Sequence, residues 1–94
     1  MADETQPSKT DILNGAIAQR QQEITLYDIN IDNYIRAVAD IAATYTGDDA
    51  VSVAMQAQKD RLAQLLGTEQ IEREKSALML RALQAQLAAL TPAV

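Results

Sequence analysis

Asp28-Ile29-Asn30-Ile31-Asp32-Asn33 sets oxygen-bearing side chains at alternate positions, like the opening of a calcium loop. Such a loop needs a tight turn at its sixth position and a bidentate Glu at its twelfth. Here those places hold Asn33 and Ala39. The closing ligand is missing, and a loop would strand Ile29 and Ile31 in water. On a helix, Asp28, Asp32 and Arg36 fall at intervals of four instead, an ordinary surface charge ladder. No metal and no cofactor is expected. Catalysis has little more to draw on. The chain has no His and no Cys, which removes the common pairings of nucleophile and base. Ser8, Ser52 and Ser76 lie in no activating motif, and there is no Gly-rich phosphate loop. Carboxylates do recur at helical spacing, but tuning their pKa values requires an enclosed pocket that a slim helical protein does not supply. The expectation is a protein that is not an enzyme.

The elements behind these residues are helical. Ile17, Ile24, Ile31, Val38 and Tyr45 recur every seven residues. A second line, Leu13, Arg20, Tyr27, Tyr34 and Ile41, falls three residues later in each heptad and is apolar except at Arg20. These are the a and d lines of a coiled-coil seam, which calls for a partner helix. A strand over 23–31 is excluded because alternation fails at Tyr27-Asp28 and no hairpin partner exists. Pro7-Ser8, with Asp11 following, is a workable helix start, Thr10 being the alternative cap. At the other end, Thr46-Gly47-Asp48-Asp49 is the clearest punctuation in the chain. There Gly47 can take a left-handed conformation and Asp48 or Asp49 can cap the next helix.

This divides the chain into a polar, disordered tail over 1–7 and one helical domain over 8–91. Its helices run over about 8–46, 49–66 and 69–90, with Gly67-Thr68 as a second stop and start signal and Thr91-Pro92 as the end. The second helix carries Val51, Met55, Leu62 and Leu65 on a stripe that Gln58 interrupts. The third carries Leu80, Leu83, Leu87 and Leu90 on one line and Ile71, Leu78, Ala82, Ala85 and Ala89 on another. Glu69 is placed to favour the start of that helix and to pair with Arg73. At 1.5 Å per residue, the first helix spans about 57 Å and the other two together about 63 Å. The match predicts an all-α fold, a long antiparallel coiled-coil-like hairpin whose return arm is kinked or broken near Gly67. Folding at 47–49 sets Ile24 opposite Ile71, Ile17 opposite Leu78 and Ile31 near Leu65. A compact three- or four-helix bundle is the alternative.

One hairpin cannot bury every apolar residue. Ile12, Leu26, Ile29 and Ile35 lie off the seam, and the last helix is apolar over more than one stripe. A wider stripe needs a further neighbour, so self-association or docking on a larger protein is expected. The candidates for that contact are Leu26, Ile29, Ile35, Tyr27, Tyr34, Leu80, Leu83 and Leu87. Of these, Tyr27 and Tyr34 serve either as core filling or as anchors.

A chain of 94 residues with net charge −5 is small and acidic. Its acids are dispersed, and the few Lys and Arg are interleaved with them, so nucleic acid is not an expected partner. No apolar run reaches the roughly 18 residues of a membrane span, and the amphipathic 76–90 segment has one cation and several Gln. The polar N-terminus is no secretory signal, which leaves a cytoplasmic or virion location as the expectation.

The run Ala18-Gln19-Arg20-Gln21-Gln22-Glu23-Ile24, the run Tyr27 to Tyr34 and the Gln/Leu/Ala-rich ending resemble small helical proteins encoded among the structural genes of tailed bacteriophages. That resemblance implies a virion or assembly role. A small acidic regulator that binds and inhibits a host protein is the alternative.

Overall fold

The computed structural model describes residues 8–90, so the expected tail over 1–7 and the Thr91-Pro92 stop lie outside the described residues. Two helices, α1 (Lys9–Thr44) and α2 (Ala50–Leu90), pack against each other as a long hairpin. The molecule measures 71 × 29 × 15 Å, two helices wide and one helix thick.

α1 begins as its sequence predicts. Ser8 is the N-cap in extended conformation, and its hydroxyl accepts from the Asp11 N–H at 3.1 Å. Helix then runs unbroken through 23–31, and through Gly15, where a side chain would meet nothing within 4 Å. It ends at Tyr45, whose N–H still donates to the Ile41 carbonyl.

The turn differs from expectation in one respect. No described glycine has positive φ, so Gly47 does not close α1 through a left-handed conformation. Its missing side chain serves a different need. A Cβ there would lie 2.9 Å from Asp49 Oδ1, the carboxylate that starts α2. Asp49 accepts from the Ser52 N–H at 3.1 Å and from the Ser52 hydroxyl at 2.7 Å. Gln56 then reaches back across the turn and donates to the Tyr45 and Gly47 carbonyls at 2.8 and 3.3 Å. Backbone groups freed at the helix ends are thus met by side chains one or two turns into α2.

The break expected at Gly67-Thr68 is absent: α2 is one helix of 41 residues. A glycine in a helix costs about 1 kcal/mol relative to alanine, which packing along the rest of the arm outweighs. Thr68, expected as a new start, bonds its hydroxyl back to the Gln64 carbonyl at 3.3 Å, a bond made inside a continuing helix. Glu69 therefore sits in mid-helix, not at an N-terminus.

Every residue on the two predicted seam lines of α1, from Leu13 to Tyr45, is buried or half-buried. Leu13, Ile17 and Ile41 form the most enclosed part. In α2 the inward positions are Ser52, Met55, Lys59, Leu62, Leu66, Glu69, Arg73, Ser76, Leu80, Leu83 and Leu87, all buried or half-buried. They alternate at three- and four-residue steps, a heptad seam in its own right.

Two tests follow. Removing most of the Ile41 side chain (Ile41→Ala) should cost about 2–5 kcal/mol in chemical denaturation, the usual toll of a buried aliphatic cut to Ala. Exposed Ile29→Ala should leave stability within about 0.5 kcal/mol. Hydrogen bonds from the Ser52 hydroxyl and then its N–H hold the Asp49 carboxyl below its ordinary 3.8. Its stabilising contribution is complete above 3.8 and is lost as pH falls from there through the lowered value. Asp49→Asn keeps a capping side chain but no titration, so its melting temperature should fall less steeply than that of the wild type across this acid range.

Candidate interaction surface

The register of α2 decides which side chains face outward. Expected pairings set Ile71, Leu78 and Leu65 against Ile24, Ile17 and Ile31. Instead all three are exposed, Ile71 at 60% and Leu78 at 56%. Ser76, only 5% exposed, meets α1 at Glu23, its hydroxyl 3.5 Å from the carboxylate. Arg73 crosses to Asp28 through Nε and, more weakly, through Nη2 at 3.5 Å. Relative to expectation, α2 is slid by about five residues, roughly 7.5 Å at the helical rise. Leucine content supplies the reason. This seam collects Leu62, Leu66, Leu80, Leu83 and Leu87, whereas the line through Leu65 and Met79 carries Gln58, Glu72 and Gln86. Five leucines outweigh the polar residues they bring inside with them.

Those polar residues gather at mid-hairpin. Arg20 donates to Glu23 at 3.0 Å, and Arg73 is held by Asp28, which raises the Arg73 pKa through that hydrogen bond and the attached charge. The expected Glu69–Arg73 pair does not form, because Arg73 turns to α1. Glu69 keeps one carboxylate oxygen buried with no hydrogen-bond partner. Of the predicted ladder Asp28, Asp32 and Arg36, only the Asp32–Arg36 step forms, at 2.7 Å, and the hydrogen bond to Asp32 raises the Arg36 pKa. The stretch 28–33 is helix throughout, its two aspartates engaged by arginines. Among the described residues no cluster of acidic side chains is arranged to hold a metal ion.

The eight contact candidates divide into two groups. Leu26, Ile29 and Ile35 are exposed on α1, at 55, 52 and 48%, as their off-seam positions require. Tyr27, Tyr34, Leu80, Leu83 and Leu87 are half-buried on the seam, so they serve the hairpin itself and not a free surface. Their places outside are taken by residues the sequence set on its apolar lines, Val51, Leu65, Ile71 and Leu78, with Val53 and Met79 beside them. Leu90, expected in line with Leu80 to Leu87, is also exposed. The signal that separates these sets is the heptad frame of α2 counted from its cap, which puts Ser52, Met55 and Lys59 inside. Among the described residues no helix is long and apolar enough to cross a membrane.

Replacing Glu69 by Leu should raise the midpoint of thermal unfolding, by about 1–3 kcal/mol of added stability, since it removes a buried acceptor without a partner. An unchanged or lowered midpoint would mean that the carboxylate finds a bond that outweighs a leucine there.

No family model matches the chain, and no curated protein or solved structure matches it either.

Proposed function

We propose that this protein is a non-enzymatic assembly component that acts by packing its helices against itself or a larger protein, as part of a bacteriophage virion or of its assembly. The observation that carries the assembly reading is the set of aliphatic side chains left outside the seam: Leu26, Ile29 and Ile35 on α1, and Leu65, Ile71, Leu78 and Met79 on α2. The hairpin's own packing leaves them exposed, and aliphatic side chains held on an outer helix face are candidates for contact with another protein. The phage context is supported by the resemblance of the 18–34 region to small helical proteins of tailed-phage structural genes. Net charge −5 favours a second reading, an acidic regulator that binds and inhibits one host protein.

Mass spectrometry of purified particles separates the two. An assembly component is found in them at fixed stoichiometry, and Leu26→Asp/Ile29→Asp lowers its incorporation while circular dichroism stays helical. Absence from particles, with capture of one soluble host protein, would favour the regulator.

A further inference from the structure

Aliphatic packing along the hairpin comes in two separate lengths. The crossings of Glu23 with Ser76 and of Asp28 with Arg73 set Leu13 and Ile17 level with Leu87 and Leu83, in the half away from the turn. In the half beside the turn, Tyr34 and Val38 run level with Leu66 and Leu62, and Ile41 is buried. Between Leu66 and Leu80, roughly 21 Å along the axis at the helical rise, α2 turns its larger apolar residues outward. Ile71, Leu78 and Met79 are all exposed there, and the seam positions hold Glu69, Arg73 and Ser76. This waist is weakly held. Both partners of the Arg73–Asp28 pair are open to water, the Ser76 hydroxyl stands 3.5 Å from Glu23, and Glu69 keeps a buried oxygen without a hydrogen bond. Exposed ion pairs contribute little, and an unmet buried acceptor is a cost.

We propose that the hairpin is two cooperative units divided at this waist, and that the distal unit, 12–28 with 73–88, opens while the turn unit stays closed. The turn unit is the one that persists because its arms are joined by a short connection, whose closure costs little entropy. Side chains fasten that connection further: Asp49 holds Ser52, and Gln56 donates to the carbonyls of Tyr45 and Gly47. Once Leu13, Ile17, Leu80, Leu83 and Leu87 separate, the waist offers almost no further resistance and parts with them. A uniform seam behaves differently, giving way step by step from its end. Separated arms lose the tertiary packing from which helices draw most of their stability, so opening frees their backbone N–H groups. It also brings the distal leucines to the surface while the turn unit keeps the arms together.

The test is native-state hydrogen exchange on the purified full chain, followed by NMR at rising urea below the unfolding transition. Amides over 12–28 and 73–88 should share one opening, about tenfold or more frequent than that of 31–43 and 56–66. In Glu69→Leu/Arg73→Leu the waist acquires apolar packing of its own. Amides over 20–28 and 73–76 should then exchange about tenfold more slowly than those over 12–17, so that the step in protection moves away from the turn. One opening shared by the whole hairpin overturns the proposal, as does protection that climbs evenly from the distal end to the turn. A step that keeps its place in the double variant, with helix content unchanged by circular dichroism, overturns the waist as its cause.

Discussion

The structure depends on which side of α2 faces α1. Five leucines, Leu62, Leu66, Leu80, Leu83 and Leu87, share one heptad frame, and burying them fixes the rotation of a 41-residue helix about its axis. That frame also holds Glu69, Arg73 and Ser76. Once the leucines are inside, these three follow, and Ile71, Leu78 and Met79 are turned out. Both the polar middle of the hairpin and its apolar exterior are consequences of one rotational choice. The ion pair from Arg73 to Asp28 and the contact of Ser76 with Glu23 fit within that choice, and being partly exposed they contribute more to alignment than to stability.

The turn enforces the same register from the other end. Asp49 is tied to Ser52, and Gln56 to the carbonyls of Tyr45 and Gly47, so the first two turns of α2 are anchored against the end of α1. Gly47 makes room for the carboxylate of Asp49. Ser52 is buried at this end and Ser76 at the middle. Small side chains hold these two places, while larger leucines fill the seam between and beyond them.

Much of this was legible in the residues. The seam of α1 was readable because Ile17, Ile24, Ile31 and Val38 repeat without interruption and nothing competes with them. The cap at Ser8, the turn at 45–49 and the free positions of Leu26, Ile29 and Ile35 followed directly. α2 was harder because it offers several apolar lines, and the one richest in leucine also carries Glu69, Arg73 and Ser76. Length matching placed the fold-back correctly but not to within a helical turn, since helix lengths carry no information about which residues face each other. Gly67 looked like a stop because glycine is a strong signal in isolation, whereas here the helix is supported on both sides by leucines.

The central claim is the register of α2, and paired cysteines test it most directly in a chain that has none of its own. One variant joins Glu23→Cys with Ser76→Cys, and another joins Ile24→Cys with Ile71→Cys. With a short thiol crosslinker at low protein concentration, the first pair should link within the chain rapidly and the second slowly or not at all. Efficient linkage of Cys at 24 and 71, with none between 23 and 76, would put the aliphatic line inside and contradict the account.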